Sequence, residues 1–400
     1  MDLRTDYPYW LMKNGIKHAY PSLNADIDVH VAIIGAGISG ALAAYYLYRD
    51  DLKVAVLDRH HAGMGATAAS TALLQYELDV PLHILAGQIG RVPAVHAYKL
   101  CRKAIYDLQQ ICKKLRTDVA FGMRPSLQYA SEARHRHMLY REYGFRLKNG
   151  FRVNWLESDE TERLFGIKTP GAILSEDGGV VDAYLLTHSL LEYVQQKEYR
   201  IYDNTEATSI QYEQNHVLIT TGTGHKVRAK KVVIACGHES LSYLPRQVAE
   251  TYSTYAVATE PLPPGSAWYH NSLIWETAKP YTYLRFTDDN RIIIGGKDDL
   301  FHNAAIRDAR VKKKTEKLLQ SFSQRFPHLP VRADFSWAGT YLATADGLPY
   351  IGSVPELPNT FFALGFGGNG VTFSVLAAQM IRDMIKGKQP KDSEIFSFNR

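Results

Sequence analysis

Cysteine is scarce. Cys101, Cys112 and Cys236 are the only three in 400 residues, and none stands in a C-x-x-C pair. That excludes a zinc-ligand pattern and a disulfide framework, implies no metal, and fits a reducing compartment. Charge of one sign is missing as well. The 46 basic and 41 acidic residues leave a net charge of +5, and the short basic runs Arg134–His137 and Lys312–Lys314 lack interleaved aromatics. They read as solvated helix faces, so no nucleic-acid partner is expected. Long apolar runs are also absent. Nothing approaches the roughly 20 residues of a membrane-spanning helix, and MDLRTDYPYWLMKNG has no apolar stretch of signal-peptide length. A cytoplasmic protein without membrane contact is expected.

What is present starts with the run VHVAIIGAGISGALAAYYLYRDDLKVAVLDRH. Val29 to Ile34 reads as an apolar strand, and Gly35, Gly37 and Gly40 follow as G-x-G-x-x-G. Gly35 permits a tight turn, and Gly37 lets backbone approach a pyrophosphate. Gly40 lets the next helix pack close, and Ala36, Ile38 and Ser39 complete a turn of free N–H groups. A second strand, Lys53 to Leu57, ends in Asp58, placed to accept hydrogen bonds from an adenosine ribose, with Arg59 beside it. The spacing predicts a dinucleotide site. His60 and His61 read as exposed loop residues.

At 46% hydrophobic, the chain can bury a large core, and its length predicts two domains. Residues 1–28 read as an extended arm. Gly63 to Leu74 is rich in Gly, Ala and Thr and fits neither regular element. Helices are expected at 93–115, 182–196 and 304–324, with strands at 127–130, 153–156, 200–203, 216–221 and 231–235. KVVIACG ends its strand in Ala235, Cys236 and Gly237, a second place where backbone can approach a ligand. Residues 251–300 are strand-rich, and the tail TFFALGFGGNGVTFSVLAAQMIRDMIKG returns to strand, turn and helix. No fixed-period repeat or low-complexity linker interrupts the pattern, which implies interleaved domains.

These landmarks together (VAIIGAGISG with Asp58, GATAASTALL, KVVIACG, RIIIGGKDD, WAGTYLATADGLPYIG and FFALGFGGNGVT) resemble one family, in order and in spacing. It is the FAD-dependent oxidoreductase family that includes D-amino-acid oxidase, glycine oxidase, sarcosine oxidase and γ-glutamylputrescine oxidase. The resemblance implies an α/β and α+β architecture. A glutathione-reductase-like Rossmann FAD domain (1–115, 171–248 and 335–400) is interleaved with a mostly antiparallel substrate domain (116–170 and 249–334). It implies that Gly65, Ala66, Thr67, Ser70, Thr71 and Ala72 pass beside the isoalloxazine, and that Ala207 contacts adenine. Gly339 and the last motif, Gly365, Gly367, Gly368, Asn369, Gly370, Val371 and Thr372, complete the cofactor set. The helix starting near Val371 can aim its positive end at the flavin pyrimidine edge.

Departures from the family bear on substrate. No cysteine follows Cys236 to carry the covalent flavin linkage of sarcosine oxidase-like members, so FAD is expected to be noncovalent. The positions where relatives place a cation for the substrate carboxylate hold Ala72, Tyr341 and Thr372, all neutral. A site for a carboxylate in a dry pocket should supply a cation, so an amine substrate is expected. One candidate cation remains. Alternation puts Tyr281, Tyr283 and Arg285 on one strand face, where Arg285 either lines the pocket or pairs with Asp288 or Asp289 at the surface. Ile293 replaces the oxygen-activating lysine of some members, and Lys297 should point elsewhere.

The expected reaction is hydride transfer from the carbon beside an amine or amino-acid nitrogen to flavin N5, then imine hydrolysis, with O2 or another acceptor taking the electrons. Tyr283, Tyr341 and Arg285 are the candidate catalytic residues, and His238 reads as a loop histidine. The alternatives are a dehydrogenase that does not use O2, a binding protein that keeps FAD for stability, and an NAD(P)-linked enzyme.

Overall fold

The computed structural model describes residues 2–5, 7–48, 50, 52–196 and 199–400. Two sheets organise them. In the first, strands run in the order Tyr350–Gly352, Thr360–Leu364, Lys226–Ile234, Ile27–Ile34, Val54–Leu57 and Arg200–Tyr202, with a hairpin of Ala207–Tyr212 and Val217–Thr221 attached to Lys226–Ile234. Its centre is parallel: Ile27–Ile34 pairs in parallel with both Lys226–Ile234 and Val54–Leu57. Parallel strands are covered on both faces, so they read as continuous apolar runs. Val31 and Ile33 accordingly enter one core with the helix Ile38–Leu47, while Ala32 and Ile34 enter another with Leu57, Ile219 and Val232.

The second sheet is mostly antiparallel and has nine strands, including Gly122–Tyr129, Ala172–Val180, Glu250–Thr259, Thr282–Phe286, Ile292–Asp299 and Ala333–Ala343. One face packs Leu127, Ile274, Leu284, Ile292 and Ile294 against Leu318 and Phe322 of the helix Val311–Arg325. The other face looks toward the first sheet. The α/β and α+β reading therefore describes the molecule. The domain boundaries read from the sequence do not follow sheet membership everywhere. Ala172–Val180 and Ala333–Ala343 belong to the second sheet, although the expected cofactor segments 171–248 and 335–400 begin within or beside them.

Three local expectations also change. The arm is not wholly extended, because Tyr9–Asn14 is a short helix whose Tyr9 and Trp10 are buried. The charged helix near 304–324 is two helices, Ala304–Ala309 and Val311–Arg325, the first capped by the Asn303 side chain. Within Gly63–Leu74, Ala66–Ala69 forms one helical turn and Leu73–Leu74 pairs with Ala172–Val180. Among the described residues, no helix is long and apolar enough to cross a membrane, and no cluster of metal-ligating side chains occurs.

Candidate functional site

A cavity of about 1340 Å³ opens where Ile34, Leu57 and Ala235 end their parallel strands, and runs to the inner face of the second sheet at Tyr283, Asp298 and Tyr341. Ligands of open α/β sheets bind outside the carboxyl ends of the strands. A usual small-molecule pocket holds ~300–1,000 Å³, so a dinucleotide and a second molecule both have room.

The first turn explains one end. Gly35 has φ +105°, and a Cβ there would meet the Ala235 carbonyl at 2.6 Å. A Cβ on Gly40 would sit 1.8 Å from the Gly35 carbonyl oxygen, so only glycine lets this helix dock. Gly40 is therefore a packing residue that does not line the cavity, and neither does Ala36, whose N–H donates to Asp58 Oδ2 at 2.7 Å. Gly35, Gly37, Ile38 and Ser39 do line it, as do Asp58 and Arg59. Asp58 also accepts from the His60 N–H at 2.9 Å. Burial raises its pKa, and the two N–H donors oppose that. Arg59 pairs with Glu239 at 2.5 Å. His60 is exposed as expected, but His61 is half-buried against Asp203 at 2.9 Å.

The segment 65–72 is held by its carbonyls. Trp337 Nε1 donates to Ala69 O at 2.9 Å and Trp10 Nε1 to Ser70 O at 2.6 Å. Arg285 Nη1 takes the next two, Thr71 O at 3.0 Å and Ala72 O at 2.8 Å, and shares Val181 O at 2.9 Å. Four successive carbonyls are thus tied from behind, as buried polar backbone requires. Gly65, Ala66, Thr67, Ser70 and Thr71 line the cavity in front, and Thr67 Oγ1 accepts the Ile38 N–H at 3.0 Å. Ala72, at φ +52°, faces the interior.

Arg285 is the main correction. Alternation placed it on the face of Tyr281 and Tyr283, but segment 71–72 lies over it. The side chain is 1% exposed, does not line the cavity, and stacks on Trp10 at 5.4 Å. Burial pulls its pKa down to about 10, which leaves it charged at neutral pH. It is neither a pocket anchor nor a surface ion pair.

The last motif closes the far wall. Gly339, Gly365, Gly367, Gly368, Asn369, Gly370 and Val371 line the cavity, and the helix Gly370–Ile385 starts there. Asn369 Nδ2 donates to Gln75 O at 2.8 Å and Glu77 O at 3.1 Å, fixing the loop. Thr372 is 1% exposed and turned into the core, so it too leaves the list of lining residues. Ala207, Ala235, Cys236 and Gly237 line the cavity on the side of the first sheet. Burial pushes the Cys236 thiol up to about 12. His238 also lines the cavity, with Nε2 2.9 Å from Thr251 Oγ1, and burial beside His302 holds it neutral at about 4.

At the second sheet, two carboxylates that the sequence reading missed face the cavity. Tyr341 Oη donates to Asp298 Oδ2 at 2.8 Å. Tyr281 Oη donates to Asp79 Oδ1 at 2.9 Å, and the Gly368 N–H to Asp79 Oδ2 at 3.2 Å. Burial pushes Asp298 up to about 6; Thr254 and Tyr341 oppose this, and the Asp79 charge adds to it. Burial also pushes Tyr283 up to about 12 and raises Tyr341, whose Asp298 partner adds to the rise. Asp298 reaches the cavity through a bulge. Gly296 and Lys297 have φ of +120° and +56°. Between the pairs Tyr255–Gly296 and Ser253–Asp299 the strand carries one residue more than its neighbour. Lys297 therefore turns away, its Nζ 3.7 Å from Glu276.

The glycines pass a fit test for FAD. Cβ positions on Gly237 and Gly370 would meet nothing within 4 Å, which leaves open space over the backbone at both. One Cβ on Gly37 would stand 3.0 Å from Thr67 Oγ1, across the turn that offers its N–H groups. The match to the family of FAD-dependent oxidoreductases spans residues 30–384, and so takes in every residue that lines the cavity. The chain belongs to that family. This FAD-dependent oxidoreductase is 28% identical over 401 residues to a glycine oxidase of Geobacillus kaustophilus, covering 92% of this chain and 96% of that one. It is 22% identical to γ-glutamylputrescine oxidoreductase of Escherichia coli, covering 92% and 86%. The crystal structure of glycine oxidase from Geobacillus kaustophilus superposes with a TM-score of 0.77 at 23% identity, over 93% of this chain and 99% of that one. The chain is accordingly an enzyme, an oxidoreductase that depends on FAD.

The candidate cofactor residues of this FAD-dependent oxidoreductase can be weighed singly. Asp58→Ala is expected to weaken FAD by roughly 1–3 kcal/mol, the cost of a lost charged acceptor. Fluorescence titration of apoprotein checks it; an unchanged Kd would remove Asp58 from the site.

Proposed function

We propose that this chain oxidises an amine in preference to an α-amino acid, with FAD held noncovalently and O2 or another acceptor receiving the electrons in the cytoplasm. The observation that supports the amine reading is the charge at the tyrosine-lined end of the cavity. Asp79 and Asp298 face it, and no lysine lines the cavity among the described residues. The arginines that do line it are engaged elsewhere: Arg59 with Glu239, and Arg246 with the Phe398 carbonyl at 2.7 Å. A substrate carboxylate would meet two anions there, whereas an amine brings no negative charge to that end.

FAD bound in this cavity supplies the acceptor for a hydride leaving the carbon next to nitrogen. The protein's part is placement. Tyr283 and Tyr341 stay protonated at neutral pH and so keep hydroxyls on the substrate. Asp298 fixes Tyr341 by accepting its hydrogen bond. No protein base is required, because the lone pair of the neutral amine drives the hydride out, and water then hydrolyses the imine.

Two results are expected. Acid precipitation should release all yellow colour from the protein, since Cys236 is protonated and no later cysteine exists; colour in the pellet would overturn noncovalent binding. In anaerobic stopped flow, an amine should bleach the flavin at least ~10-fold faster than its α-carboxylated counterpart, the cost of bringing an unpaired carboxylate to this end. A faster carboxylated substrate would overturn the amine reading.

A further inference from the structure

The acidic end of the cavity holds more negative charge than one reacting nitrogen can use. That nitrogen must be neutral to release a hydride, so it leaves the anions uncompensated. The geometry points to a second ammonium group on the substrate, held by Asp298 with Asp79 beside it, so that the substrate is a diamine. This rests on the amine reading above.

The hydrogen bonds support it. An ionised carboxylate offers about four acceptor positions. Asp298 Oδ2 takes the Tyr341 hydroxyl at 2.8 Å and has one acceptor position left, while Oδ1 is closed off from the cavity as well as from solvent. Asp79 receives one donor on each oxygen, from Tyr281 and from Gly368 N–H. An alkylammonium brings three donors and one positive charge, which is what these oxygens lack. Among the described residues, no lysine lines the cavity to supply that cation. Lys314 is tied to Asp299 at 2.7 Å, and Lys297 turns to Glu276. Like charges in a poorly solvated pocket are costly unless a cation joins them. Tyr281, Tyr283 and Trp275 line the same end and suit a methylene chain between two nitrogens.

The test compares cadaverine with pentylamine, and putrescine with butylamine, on the FAD-loaded protein at neutral pH. Each pair differs only in the terminal ammonium. Two readouts are taken: anaerobic flavin bleaching, and the melting temperature with each amine present. The diamine is expected to act at concentrations roughly tenfold lower or more, the size of a charge pair in a desolvated site, and to raise the melting temperature further. Asp298→Asn should remove most of that preference; Asp79→Asn serves as the second variant should the first fail to accumulate. If mono- and diamines bleach the flavin equally, and Asp298→Asn affects both alike, the second ammonium site is refuted while the amine reading stands. If diamines raise the melting temperature through Asp298 without bleaching the flavin, the cation site stands and the amine reading falls. If no amine does either, both fall.

Discussion

Gly37→Val should give a folded protein that purifies colourless. Gly37 has φ −76°, so its backbone accepts any side chain. Its Cβ would stand 3.0 Å from Thr67 Oγ1, and a branched side chain would fill the space between the turn and the segment that faces it. Overpacking alone costs ~1–3 kcal/mol, and the helix N-terminus would lose its approach to phosphate as well. The ratio of flavin to protein absorbance should drop to background while far-UV circular dichroism stays native. Stoichiometric FAD in the variant would sink the assignment of this turn. The neighbouring glycines are poorer tests. A methyl on Gly40 collides with backbone at 1.8 Å, so lost colour there would report misfolding.

Arg285→Met should destabilise the apoprotein by on the order of 3–5 kcal/mol. The guanidinium is the shared donor for the carbonyls of Thr71, Ala72 and Val181, all in buried surroundings. Methionine fills much of the volume but donates nothing, so three acceptors lose their partner. Urea unfolding of wild type and variant measures the difference. An unchanged midpoint would mean that the segment's carbonyls find other donors. The variant should also bind FAD more weakly, because the loop that loses its support carries the lining residues Ser70 and Thr71.

Much of this architecture was legible because glycine and alternation carry strong local meaning. The turn Gly35–Gly40 and the glycines from 365 to 370 could be assigned from spacing, since few other residues tolerate such close backbone approach. Alternation also put Tyr281, Tyr283 and Arg285 on one face correctly. It could not say that residues 71–72, some 200 positions away in sequence, would fold over the arginine. Trp10 and Trp337 were unreadable as loop supports for the same reason: their partners are carbonyls, which no sequence pattern marks. Asp298 escaped because a pattern of period two fails wherever a strand gains a residue. The one available hint was the pair Gly295 and Gly296 inside an otherwise branched strand, a composition that often marks a bulge.

That bulge makes the electrical sign of the pocket a property of the backbone. Lys297 and Asp298 are adjacent, so in an unbroken ladder continuing from Ile293 and Gly295 the lysine would stand inward and the aspartate outward. The extra residue exchanges them: Lys297 meets Glu276, and Asp298 meets Tyr341. A single insertion or deletion near Gly296 would therefore reverse the local charge by two units without altering either side chain. Preference between anionic and cationic substrates on this scaffold can change through register alone, a route that surveys limited to point substitutions would pass over.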